Sequence, residues 1–166
     1  NSQDTIPALV DVCITTEIQT GTRALWRSNR LRKLFLTFAE PGQIGLSSIG
    51  SLLSPTTRED NNGLVIDIDP TAKEFKKLMA PIAPGLFEPV AITNYEPISI
   101  NQKCVLDNSV GTLAYDGEKE VTVFSGDRIE IRLDRQGPRT IDMAKTIENI
   151  AHTGLLIQNN TLESGR

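Results

Sequence analysis

Histidine and cysteine are scarce in this chain: one histidine, His152, and two cysteines, Cys13 and Cys104, among 166 residues. Zinc centres take clusters of these residues at short spacing, and no such cluster can be drawn here. A Cys–His nucleophilic pair would need distant residues to converge, so both cysteines read as buried thiols of a reducing compartment. No run approaches the roughly 18 apolar residues that a membrane helix needs. An excess of positive charge is missing too. Lys plus Arg total 17 against 21 for Asp plus Glu, a net charge of −4, which argues against a nucleic-acid groove. No signal-peptide pattern opens the chain, which is expected to reside in the cytoplasm. The chain starts at Asn1, and its methionines are Met79 and Met143. A piece of a longer protein, holding part of a site, is the expectation.

What is present is globular in kind. Apolar residues make up 39% and charged residues 23%, with 12 Gly and 9 Pro to supply frequent turns. One β-rich domain is expected over 1–158, with a frayed tail over 159–166. Residues 8–16 are apolar and β-branched and predict a strand. Residues 22–33 carry Arg23, Arg27, Arg30, Arg32 and Lys33 beside Ala24, Leu25 and Leu31, and predict a short helix with Trp26 in core or interface. Leu34 to Phe38 reads as a buried strand. Glu40-Pro41-Gly42 signals a turn, and a small-residue helix starting between Gly42 and Gly45 runs towards Pro55. Asn61-Asn62-Gly63 reads as a turn.

From residue 64 the period is mainly two. Leu64, Ile66 and Ile68 alternate with Val65, Asp67 and Asp69, and short apolar runs at 78–83, 87–92 and 103–106 are separated by Pro or polar turns. Asp116-Gly117 predicts a tight hairpin between strands at 113–115 and 121–123. Ile129, Ile131 and Leu133 alternate with charges as a half-exposed strand. Thr140 is placed to cap a last helix that ends at Gly154, with His152 on its surface near the end. The class is mainly β (α+β), a β-sandwich-like domain with two or three short helices.

Several segments, in order, resemble the NAD kinases. Phe38 to Pro55 resembles that family's strand, Gly-containing turn and small-residue helix. Met79 to Ile92 is similar to its Pro-Ile-Cys-Pro stretch, and 110–132 to its Asp-Gly…Gly-Asp ending. Leu9-Val10-Asp11-Val12 stands where the family has Leu-Asn-Glu/Asp-Val. Arg23 to Trp26, Leu34 to Pro41 and Ile44 to Gly50 resemble the AcoX-type branch, ATP-NAD kinase-like proteins associated with acetoin catabolism. The resemblance implies the C-terminal, substrate-side domain of such a protein, with NAD and ATP as the ligands of the complete chain and a homo-oligomer as its assembly. The family's Gly-Gly-Asp-Gly-Thr motif, which handles ATP, belongs to an N-terminal domain; this chain contains no Gly-Gly pair. There are other departures. Val10 replaces the family's Asn, Gln43 and Ile44 fall near its Thr-Ala-Tyr, and Arg32-Lys33 replaces an acidic residue.

The implied ligand-binding residues are Asp11, Glu40, Gly42, Gly45, Ser47, Ser48 and Asp116, with no catalytic residue and no metal site. Each has a plainer reading. The glycines, with Gly50, can serve a tight turn and close helix packing. Ser47 or Ser48 can be a cap, and Asp116-Gly117 only a hairpin turn. Asp11 lies in an apolar strand, where a carboxylate is costly to bury unless paired or bound; the plainer reading there is an exposed strand face. The basic group from Arg23 to Lys33 can meet phosphate or form a solvated face. A second functional class stays open beside the kinase-like reading: a non-catalytic nucleotide-binding or oligomerisation module linked to acetoin catabolism.

Overall fold

Period-two alternation decides which face each strand buries, and it does so here on both faces of one sheet. The computed structural model describes residues 5–16, 27–107, 110–117, 119–137 and 141–157. It divides into two compact units, Asn1–Arg135 and Gln136–Arg166. The first unit holds β1 (Asp11–Thr15), a 3₁₀ turn (Ser28–Arg30), β2 (Leu31–Leu36), α1 (Leu46–Leu53), β3 (Asn62–Ile68), β4 (Lys76–Ala83), β5 (Leu86–Ser99), β6 (Lys103–Asp107), β7 (Gly111–Tyr115), β8 (Lys119–Val123) and β9 (Arg128–Arg132). A seven-stranded antiparallel sheet has the order β4-β5-β3-β2-β1-β7-β8, and β6 pairs with β9 in a separate ribbon. The mainly β, sandwich-like expectation holds.

One face of the large sheet packs Leu34, Leu36, Leu64, Ile66, Ile68 and Ile92 against Ile49 of α1. The opposite face turns Ile14, Phe35, Val65 and Ile98 towards Leu106, with Cys104, Ile129 and Ile131 of the ribbon packed alongside. The alternation of β3 seen in the sequence is therefore the alternation of two cores, while that of β9 is between one core and solvent. α1 lies close because Gly50 has no side chain: a Cβ there would collide with Leu36 Cδ1 and stand 2.9 Å from the Ala39 Cβ.

Three expectations change. Residues 27–33 form no helix; they are the 3₁₀ turn and the start of β2, while the rest of the expected helix, with Arg23 and Trp26, lies outside the described residues. The spacing of Leu31 and Leu34 looked helical because of a bulge. Ile14 opposes Lys33 while Thr15 opposes Leu31, so Arg32 is the extra residue and both leucines face one core. Asn62 and Gly63 belong to β3 rather than to a turn. Gly63 is needed for closeness, since a Cβ would strike the Leu36 carbonyl oxygen. Pro97, between the apolar runs 87–92 and 103–106, does not separate strands but sits inside the 14-residue β5, as does Pro89. The two halves of β5 have different partners: Leu86 to Ile92 pairs with β4, and Ile92 to Ser99 with β3. Pro89 and Pro97 thus each lie where one side of the strand is free, the place a strand tolerates a missing N–H.

The second unit contains α2 (Met143–Thr153), capped by Asp142, whose carboxylate accepts from the Lys145 N–H at 3.0 Å. Thr140, expected as the cap, lies outside the described residues, as does the tail from residue 158. Gly154 ends the helix in the left-handed conformation, φ 63°, as anticipated. No described helix is long and apolar enough to cross a membrane.

Candidate functional site

The strand register gathers one set of residues at a single end of the sheet. Asp11 opposes Leu36, Val12 opposes Tyr115, and Leu36 opposes Leu64. The start of β1, the end of β2 and the end of β7 therefore share an edge, which carries Asp11, Thr37 and Asp116.

Asp116 reaches this edge through its hairpin. Asp116 has φ 53° and Gly117 φ 68°, the two positive angles of the tight turn that Asp-Gly predicts. Its carboxylate accepts from the Leu9 N–H at 2.9 Å and from the Val10 N–H at 2.7 Å. Thr37 fastens the same segment from the other side. Its hydroxyl donates to the Leu9 and Val10 carbonyls at 2.9 and 3.0 Å, and its N–H donates to the Val10 carbonyl. Thr37 was not singled out from the sequence. Its signal was a lone hydroxyl in the apolar run Leu34 to Phe38.

Asp11 differs from Asp116. Its Oδ1 is buried and has no hydrogen-bond partner. Burial, then the nearby Asp116 carboxylate, raise its pKa from 3.8 to about 6, with the Asp116 backbone N–H opposing them. The neighbouring Cys13 thiol is pushed up to about 12, by burial first and by the Asp11 charge second. Cys13 is thus a buried, unreactive thiol. Cys104 is half-buried, and both cysteines are free.

The other implied residues sit elsewhere. Glu40 lies 3.9 Å from Arg58, whose guanidinium stacks 4.2 Å from the Phe38 ring. Gly42 and Gly45 have φ 87° and 77°, and a Cβ at either would meet open space. The Gly45 N–H donates to the Pro81 carbonyl of β4 at 3.0 Å. β5, β3 and β2 lie between β4 and β1, a separation of about 19 Å at the usual strand spacing. The turn into α1 and the Asp11–Asp116 pair are therefore two places, not one. Ser47 and Ser48 are buried, and the Ser48 hydroxyl donates inward to the Gly45 carbonyl at 2.6 Å. Gly50 serves the close packing of α1. The basic residues Arg32 and Lys33 stand towards the far end of β2, where Lys33 pairs with Asp67. His152 is an exposed residue of α2, 3.8 Å from Glu148. No cluster able to hold a metal ion occurs among the described residues.

The comparisons with known proteins bear on this arrangement. A family model described as the acetoin catabolism protein X C-terminal domain matches residues 1–136. A curated protein, acetoin catabolism protein X of Cupriavidus necator, is 34% identical over 149 residues, covering 90% of this chain and 42% of its own length. The chain thus spans less than half the length of that relative. No solved structure matches it.

Proposed function

The chain belongs to the acetoin catabolism protein X C-terminal domain family, and from this premise we propose that it forms the substrate-side wall of a nucleotide-binding protein serving acetoin catabolism. The proposed ligand is NAD or a related nucleotide, phosphorylated at the expense of ATP in the complete protein. One observation carries the reading: the Asp11 Oδ1 atom, buried and without a donor, beside a second carboxylate whose oxygens are already taken by backbone N–H groups. An orphaned buried acceptor is costly unless something donates to it. A ribose hydroxyl of the ligand is a donor of the right kind, and a phosphate is not, since two adjacent carboxylates repel it.

In this scheme Asp11 accepts from the sugar, and the Asp116 and Thr37 hydrogen bonds hold the Leu9–Val10 segment that positions Asp11. Gly42 and Gly45 leave room for the backbone to approach the far part of an extended ligand, with Glu40 at the entry to that turn. Ser47 and Ser48 hold α1 in place rather than meeting the ligand. ATP supplies the phosphoryl group when bound; among the described residues nothing is built to cradle its phosphates, so ATP is assigned to a second domain of the complete protein.

A second reading, a non-catalytic binding or assembly module, is favoured by Val10, which offers no side-chain amide where the resembling family has Asn. Calorimetry of the full-length protein with NAD, NADH, ATP and acetoin-related metabolites separates the two. The proposed function expects NAD-type binding that weakens by about tenfold or more in Asp11→Asn, the loss expected for a hydrogen bond to a charged group. Absence of binding by every nucleotide favours the assembly module instead.

A further inference from the structure

Asp11 answers to a small set of neighbours, all within the first unit. Residues directly opposed in the sheet share a face, and Asp11 shares its face with Cys13, with Leu34 and Leu36 of β2 and with Ala114 of β7. α1, which packs on this face, contributes no titratable side chain. Beyond β7, Glu120 of β8 opposes Ala114 and is exposed. Tyr115 and Lys119, opposed to Val12 and to each other, belong to the other face. The Cys13 thiol, pushed up to about 12, stays neutral. The charge that bears on Asp11 is Asp116, and it has the same sign. No cation among the described residues enters the balance there.

The backbone N–H groups of Leu9 and Val10 are taken up by Asp116, at 2.9 and 2.7 Å, while the Asp11 Oδ1 atom has no donor. Ionised Asp11 thus carries a charge that its surroundings oppose. Two things relieve it: a proton on the carboxylate, or a donor brought by a ligand. Asp11 is half-buried rather than sealed, so a ligand has access to it. A hydrogen bond to an ionised acceptor is the stronger kind, so a bound hydroxyl holds the carboxylate in its charged form. Proton and ligand hydroxyl compete for one group.

Resting on the reading of Asp11 as the acceptor of a ligand hydroxyl, we propose that binding at this site is coupled to a proton: the ligand settles against ionised Asp11, and the Asp11–Asp116 pair lets it go on taking up a proton. In the binding step the O–H bond of the Asp11 carboxyl breaks and its proton goes to solvent, while the ligand hydroxyl keeps its own. The folded pKa of Asp11, about 6, sets where this happens. Well above it the carboxylate is already ionised and binding moves no proton. Below it the dissociation constant rises by up to about tenfold per pH unit.

Calorimetry of NAD binding to the full-length protein, in buffers of different ionisation enthalpy, counts the protons. About half a proton released per NAD is expected at pH 6 and none at pH 8, a range in which NAD itself does not titrate. Asp11→Asn abolishes the release at pH 6. In Asp116→Asn the side-chain oxygen still accepts from Leu9 and Val10, but the like charge is gone. That variant moves the acid loss of affinity to lower pH, which a merely structural role of Asp116 does not. Should Asp11→Asn bind too weakly to titrate, this shift decides alone. NAD binding with no proton release at pH 6, with proton uptake, or with a release that persists in Asp11→Asn overturns the coupling and leaves the nucleotide reading standing. Absence of NAD binding at every pH removes that reading, and the coupling with it.

Discussion

Asp11 and Asp116 are the same residue type at the same end of the sheet, and their surroundings separate them. Asp116 is paid in backbone hydrogen bonds, whereas Asp11 has a buried oxygen with none. The folded pKa of Asp11, about 6 against an ordinary 3.8, fixes the sign of a pH effect. Between these values the native state binds the proton more tightly than the unfolded chain, so the contribution of Asp11 to stability is full at or below about pH 4 and is lost as pH rises through 6. The full shift corresponds to roughly 3 kcal/mol. Urea titrations across pH 4–8 check this: Asp11→Asn is expected to flatten the decline and to be the more stable form at pH 8. A variant more stable yet weaker in nucleotide binding would mark Asp11 as a residue kept for its ligand at the expense of the fold. The sequence pointed to Asp11 because a carboxylate stood in an apolar strand. It could not show the orphaned oxygen, which depends on the β7–β8 turn brought in from more than a hundred residues away.

At the scale of elements, what the sequence made legible was whatever depends on short-range alternation and turn chemistry. β3, β9, the Asp116-Gly117 hairpin and the Gly154 stop all fall in that class. What it concealed depends on a partner strand. The bulge at Arg32 and the split partnership of β5 have no local signature, and neither does the reason for several glycines. Gly50, Gly63 and Gly111 are each required by something distant. A Cβ at Gly50 meets mainly the tip of the Leu36 side chain, one at Gly63 meets the Leu36 carbonyl, and one at Gly111 meets the Thr15 carbonyl. A side chain can turn aside, while a strand backbone cannot without losing its ladder. Gly50→Ala also gains roughly 0.5–1 kcal/mol of helix propensity, offsetting part of an overpacking cost of about 1–3 kcal/mol. Gly63→Ala and Gly111→Ala have no such offset, and Gly111 adds a φ of 146°. Thermal unfolding of the three alanine variants is expected to rank Gly50→Ala mildest, with Gly63→Ala and Gly111→Ala each costing more than about 3 kcal/mol. Equal losses in all three would mean that α1 cannot yield at Leu36.

On the whole-molecule scale, the sheet has two lateral edges, β4 and β8. Both are blunted. β4 begins with exposed Lys76 and Lys77, and Pro81 has no N–H to offer while its carbonyl is taken by Gly45. β8 presents exposed Lys119 and Glu120. Charges and proline on an edge discourage strand addition. The same scale governs activity. Phosphoryl transfer needs groups that hold the phosphates in line and neutralise developing charge, commonly backbone N–H groups of a Gly-rich loop together with cations. This chain has no Gly-Gly pair, its two central carboxylates repel phosphate, and Lys33 is committed to Asp67. The isolated chain is therefore expected to form no NADP from NAD and ATP, even at protein concentrations where nucleotide binding saturates. Incubation followed by enzymatic cycling of NADP reads this directly. Product above the level given by heat-denatured chain would mean that the phosphate-handling groups lie within these residues, and the division into a ligand wall and a separate ATP domain would have to be given up.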